Sequence, residues 1–140
     1  MSELESKIYE IIKNPQLSSL ATITKDGKPW VRYVIALASA DFTIRFATFI
    51  HARKVEQITH NPEVHLTCGV NDPLNLAPYL QIQGRAELLT DIKTKNIFWN
   101  DTLNDIFNGP DDPNYAVIQV VPYKIEYCAP GVTKPTVWIK

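Results

Sequence analysis

Arg53 and Lys54 stand side by side where a strand-like run, residues 42–49, gives way to a helix-like one. The first turn of a helix carries the positive end of its dipole and favours acidic residues. Two adjacent cations there are either indifferent surface charge or partners of something strongly negative. The chemistry that fits the second reading is phosphate binding. Free backbone N–H groups already attract an anion, Arg adds a planar fork of donors, and Lys adds a point charge. A pair of this kind taken alone is more often surface charge than ligand site. A third cation, Arg32, interrupts the apolar run 30–37 and shares its face with Trp30, Val34 and Ala36. Such an arginine is costly unless it is paired or faces solvent. The pattern weighs those two readings evenly, and Arg45 in the next strand competes for the same role.

Other chemistries find less support. His51, His60 and His65 fall within fifteen residues, which raises a metal or haem site. His60 ends a helix-like run, His65 lies in a strand-like one, and no Cys or acidic residue follows at ligand spacing, so surface histidines are expected and no metal. His51 alone precedes the basic pair closely enough to touch a ligand there. Asp111 and Asp112 lie between prolines, the composition of a rigid loop, and receive no chemical role. No Ser-His-Asp or Cys-His arrangement, Gly-rich phosphate loop or zinc signature is present, which argues against nucleophilic hydrolysis. No residue stands out as a required catalytic acid or base.

The chain of 140 residues is 45% apolar and 21% charged, with a formal net charge of -1. That is the balance of one folded domain, residues 1–140, with a real core. No basic block marks a nucleic-acid binder. The first sixteen residues read as an amphipathic helix rather than a signal peptide or membrane span, and the expectation is a cytoplasmic protein. Cys68 and Cys128 lack paired spacing and read as reduced thiols.

The elements that must position the cations follow from periodicity and punctuation. Ser2 and Glu5 have capping-box spacing, with Leu4, Ile8, Ile11 and Ile12 on one helical face. Strand-like runs occupy 18–24, 30–37 and 42–49, the first two joined through Asp26-Gly27, a strong hairpin signal. The helix opened by Arg53 stops at Asn61-Pro62, and a fourth run covers 63–70. Residues 79–89 alternate cleanly, which predicts a strand buried on one side. Thr90 or Asp91 then caps a helix on which Trp99, Leu103, Ile106 and Phe107 recur. The last strand material, from 115, is interrupted by Pro122, and residues 130–140 read as a tail. About six mainly antiparallel strands and three helices suggest a small closed or partly closed barrel with helices on its rim.

The segments "LATITKDGKPWVRYVIAL", "IRFATFIHARKVEQITHNPEVHL" and "YLQIQGRAEL", in that order over nearly the whole chain, resemble the pyridoxamine 5'-phosphate oxidase-like superfamily. The segment "NGPDDPNYAVIQVVPYKIEY" is closer to its general stress protein branch. The resemblance implies a mainly β, six-stranded antiparallel split barrel, a homodimer, with FMN in clefts at the subunit interface. Position by position it implies that Arg32, Tyr33 and Val34 line the flavin strand, with Ala47 and Thr48 beside the ring and ribityl chain. Arg53 and Lys54 are implied as the phosphate clamp, and Tyr79 as a flavin contact from the other subunit. Trp99 would lie near the dimer cleft, although a tryptophan on a helix face is more often core.

The departures count too. Ala52 stands where the family often carries Ser, removing one phosphate donor, and Cys128 stands where true pyridoxamine phosphate oxidases carry an aromatic. The segment "APGVTKPTVWIK" has neither Arg nor His to grip that substrate. The expectation is therefore an FMN-dependent oxidoreductase with a small-molecule electron donor and acceptor, and not a pyridoxamine phosphate oxidase. The alternatives are a non-catalytic flavin- or ligand-binding stress protein, or a barrel that takes haem or a deazaflavin.

Overall fold

Strict alternation along the strands drives one face of a single sheet inward until the sheet closes on itself. The computed structural model covers residues 1–140. Its elements are α1 (Glu3–Ile12), β1 (Gln16–Ile23), β2 (Pro29–Ala38), β3 (Ile44–Phe49), α2 (Arg53–His60), β4 (Glu63–Cys68), β5 (Tyr79–Leu89), α3 (Ile92–Phe98), β6 (Tyr115–Cys128) and β7 (Thr136–Ile139). The sheet order is β3-β2-β1-β4-β5-β6-β7, every pairing antiparallel, and a further pairing of β3 with β6 closes six strands into a barrel. Leu20, Val34, Phe46, Leu66, Ile82 and Ile118 point inward and form its core. Closure removes the unpaired edges that an open sheet would expose.

The two ends of the barrel differ. At one end α1 brings Ile12 against Ala36, Ala38 and Ile44. Its start carries the expected capping box, Glu5 N–H donating to Ser2 Oγ and Ser2 N–H to Glu5 Oε1. At the other end α2 buries Ile58 and turns Gln57 towards Thr22 and Arg32. A second, smaller apolar cluster lies outside the barrel, where Leu103 and Phe107 pack on Tyr115 and Val117 beneath Phe98 and Trp99.

Three sequence expectations need correction. The tail is not free of structure, because β7 pairs with residues 124–127 of β6 and makes a seventh strand. It takes over the edge of β6 that β3 uses along 115–120. Pro122 does not interrupt β6, which runs for 14 residues through a bulge: Gln83 pairs with Lys124 and Gly84 with Pro122, so Tyr123 is the extra residue. The missing Cβ of Gly84 matters here, since an added one would stand 2.9 Å from the Val121 carbonyl oxygen and 2.7 Å from a Val120 methyl. Finally, α3 is capped by Asp91 and stops at Phe98, with Trp99 in extended backbone. Leu103 and Phe107 are nevertheless buried, by way of a short 3₁₀ turn at Asp101–Leu103 and the turns that follow, while Ile106 is exposed.

Candidate functional site

Arg32 has the same parity on β2 as Val34 and Ala36, and its side chain is drawn into the barrel's α2 end instead of out to solvent. There it meets only neutral acceptors. One terminal nitrogen donates to Thr22 Oγ1 at 2.7 Å and to the Leu20 and Trp30 carbonyls at 3.2 Å, and the other to Gln57 Oε1 at 2.8 Å. Gln57 projects from α2, so this network ties β2 to the helix whose first two residues are Arg53 and Lys54. Arg53 is exposed, its guanidinium carbon 5.9 Å from the Trp30 ring centroid. Lys54 is half-buried.

No acid balances this group. None of Arg32, Arg53 and Lys54 has a carboxylate within ion-pair distance. The acid of the α2 first turn, Glu56, is turned away onto Lys25 at 2.9 Å. Burial first, and then the charge of Arg32, hold the Lys54 ammonium below the ordinary lysine range. Burial and then Arg53 do the same to Arg32. Mutual repulsion inside a partly desolvated corner is costly and has no return within the chain. The N-cap, Ala52, supplies no side-chain oxygen, so the Arg53 and Lys54 N–H groups stay open as well, while that of Val55 donates to the Ala52 carbonyl. An anion with several acceptor oxygens satisfies all of these groups together.

Lys54 also marks one end of a cleft of about 900 Å³ between the strand end Ala47–Thr48–Phe49 and the segment that follows α3. Phe98, Trp99, Leu103, Ile106 and Phe107 supply its apolar wall. The wall is stiffened by ring contacts: Trp99 on Tyr115 at 5.4 Å, Phe107 on Tyr115 at 5.1 Å, and Phe49 on Phe107 at 4.8 Å. The Tyr115 hydroxyl donates to the Lys95 carbonyl, and the buried Lys95 ammonium donates to the Asp112 carbonyl. The Asp112 carboxylate in turn accepts from the Asn108 and Asn114 N–H groups, so the loop thought to lack a chemical role anchors the wall. The cleft thus joins a cationic corner to an apolar wall rich in aromatic rings, which suits an aromatic molecule with an anionic tail.

The expected site residues do not all meet here. Arg32, Arg53 and Lys54 share one corner, and Ala47 and Thr48 line the adjoining cleft, the Thr48 hydroxyl donating to the Phe49 carbonyl. Val34 is buried in the barrel core and lines neither this cleft nor the next. Tyr33 is 74% exposed on the opposite face of β2 from Arg32, because neighbours on a strand point opposite ways. It shares a second cleft, of about 580 Å³, with Leu17, Ser19, Thr67 and Tyr79. His51, His60 and His65 are not brought together, and no group of three potential ligands that could hold a metal forms. Sequence reading missed Thr22 and Gln57, whose signal was only that neutral polar residues stood within reach of a strand arginine. It also missed Phe98, which reads as core.

Residues 4–129 match the family described as Pyridoxamine 5'-phosphate oxidase. The chain is 29% identical over 133 residues to General stress protein 26 of Bacillus subtilis (strain 168), covering 95% of this chain and 94% of that protein. The crystal structure of the General Stress Protein 26 from Bacillus anthracis str. Sterne superposes with a TM-score of 0.84 at 29% identity, over 99% of this chain and 100% of that one. An F420 reductase superposes with a TM-score of 0.65 at 26% identity, over 84% and 94% of the two chains.

The uncompensated corner has a consequence for stability. With its proton affinity lower folded than unfolded, Lys54 opposes folding while it is charged, and the penalty fades as pH rises towards the ordinary lysine value. Lys54→Met should therefore unfold at a higher urea concentration than the parent at pH 7, with the gap narrowing towards pH 10. A variant less stable at pH 7 would mean that Lys54 has a compensating partner.

Proposed function

The chain belongs to the pyridoxamine 5'-phosphate oxidase family, and we propose that it is a flavoprotein, an FMN-dependent oxidoreductase of the general stress protein type, and not itself a pyridoxamine phosphate oxidase. The observation that carries this reading is the meeting of Arg32, Arg53 and Lys54, without an acid, at the end of an apolar cleft. The fit is chemical on both sides. A phosphate monoester supplies the charge and acceptors that the corner lacks, and a flat heterocycle suits the Phe98–Trp99 wall.

When bound, FMN supplies the hydride and electron chemistry. The chain's own residues bind and orient. Arg53 and Lys54 hold the phosphate, Arg32 adds a third positive charge while locking β2 to α2, and the aromatic wall keeps water from the reacting end. Lys54 is the one charged side chain among the fifteen that line the cleft, so no general acid stands at its apolar end. That suits transfer between a nicotinamide or similar donor and an acceptor that takes up its proton from solvent. The segment after Cys128 carries lysines but neither Arg nor His, which supports the exclusion of pyridoxamine phosphate as substrate. A second reading, a deazaflavin in the same cleft, draws support from the likeness to an F420 reductase.

The second part of the proposal is a homodimer. The outer face of β1 and β2 presents Leu17, Val31, Tyr33 and Ile35, each more than half exposed, between the two clefts. Four such side chains in one patch are what a self-complementary interface covers. A second copy laid on this face would bring Tyr33 and Tyr79 of one protomer towards the cationic cleft of the other.

The protein as purified should show a flavin absorption spectrum or quench FMN fluorescence on titration. The Arg53→Ala, Lys54→Ala double variant should lose about 1.5–3 kcal/mol of FMN binding per cation, somewhat less than additively. Unchanged affinity in the double variant would sink the clamp, and a deazaflavin spectrum would favour the second reading. Ile35→Asp should convert the dimer to monomer in analytical ultracentrifugation, and a parent that already sediments as monomer would overturn the dimer.

A further inference from the structure

Arg45 remains outside the phosphate corner, and its setting is specific. It occupies the outer face of β3 in a cross-strand row, Leu37–Arg45–Gln119–Glu87, contributed by β2, β3, β6 and β5. Its Nε donates to Gln119 Oε1 at 2.9 Å, and Gln119 Nε2 donates onward to Glu87 Oε1 at 3.1 Å. Gln119 thus fixes the guanidinium plane and keeps Glu87 one residue away. The two terminal nitrogens have no acceptor in the chain, and no carboxylate lies within ion-pair distance. Asp41, the other acid nearby, gives its Oδ1 to the Ser39 hydroxyl at 2.6 Å and to the Thr43 N–H at 3.0 Å. Its carboxyl is held low first by those bonds and only last by Arg45.

The guanidinium faces a groove of about 340 Å³ between the sheet and α3, in which Ile97, Phe98 and Leu37 provide the apolar surface. The same three residues also line the cationic cleft, so groove and cleft adjoin along Leu37, Ile97 and Phe98, and each has a positive group in its lining. The two differ in kind. The Lys54 end gathers three cations and open helix N–H groups, which matches a dianion. The Arg45 end has a single fork of two parallel donors and no second cation, which matches one carboxylate.

We propose that Arg45 and this groove form a recognition subsite for a small molecule with an apolar or aromatic body and one carboxylate. The body lies along Ile97 and Phe98 towards the cleft, and the carboxylate pairs with the terminal nitrogens of Arg45. That such a molecule is the redox partner rests on the flavin reading; that it binds does not. A half-buried strand arginine that is oriented but left without an acid is thereby explained.

The test uses 2-naphthoate and its neutral isostere 2-naphthamide as probes, titrated into the protein with and without saturating FMN and followed by ¹H–¹⁵N NMR. Naphthoate should bind about three- to tenfold tighter than naphthamide, with shifts at Arg45 Nε and the Gln119 side-chain amide. Arg45→Gln should abolish the preference while leaving the FMN titration unchanged, which also verifies that the variant is folded. Equal affinity of the two probes, binding of neither, or a preference that survives Arg45→Gln would overturn the proposal. So would a preference that disappears in the Arg53→Ala, Lys54→Ala variant, since naphthoate would then be occupying the phosphate corner. If FMN fails to bind while the preference persists, the flavin reading fails and the subsite stands.

Discussion

Three positive side chains, Arg32, Arg53 and Lys54, are held together without an acid where β2 meets the start of α2. A fold selected for stability alone would place a glutamate at the start of α2, where both the helix dipole and Arg32 would welcome it. Here the first-turn acid, Glu56, is directed to Lys25, and Arg32 is supported by Thr22, Gln57 and backbone carbonyls, all neutral. Neutral acceptors orient a guanidinium without cancelling its charge. The corner therefore keeps its field, and its cost, within the folded chain.

The barrel makes this arrangement possible through parity. Strand residues alternate between a closed interior and an outer surface, so one strand serves two purposes. On β2, Arg32 reaches the α2 end from the inner side, while Tyr33, Ile35 and Leu37 furnish the outer face. On β3, the inner residues close the core and the outer ones, Arg45 and Ala47, face the groove and cleft beneath α3. The outer wall is not part of the barrel at all. It hangs on Tyr115 and on the buried Lys95, whose bonds to the 108–114 loop hold Phe98, Trp99 and Phe107 in place.

Much of this was legible in the sequence wherever the signal is local. The Ser2–Glu5 capping box, the Asp26-Gly27 hairpin, the alternation of residues 79–89 and the stop at Asn61-Pro62 are each announced by residues within a few positions of one another. What depended on distant partners was not legible. The strand β7 exists because β3 leaves part of the β6 edge open, and β6 survives Pro122 because Gly84 permits a bulge opposite it. The early end of α3 was hidden because Leu103 and Phe107 keep a helical spacing while reaching their cluster through turns. The orientation of Arg32 needed Gln57, 25 positions away, to decide it. The separation of Tyr33 from Arg32, by contrast, was already implied by a period of two. Reading both onto one flavin set that parity aside, unless two protomers contribute.

Whether the cationic corner recognises a phosphate is decided by comparing FMN with riboflavin, which share the ring and ribityl chain and differ in that group alone. Both would be titrated into the same preparation at fixed ionic strength. FMN should bind at least about a hundredfold tighter, as expected when two or more charge-assisted hydrogen bonds are at stake, and this advantage should shrink as salt is raised. Equal affinities for the two flavins would contradict phosphate recognition by this corner.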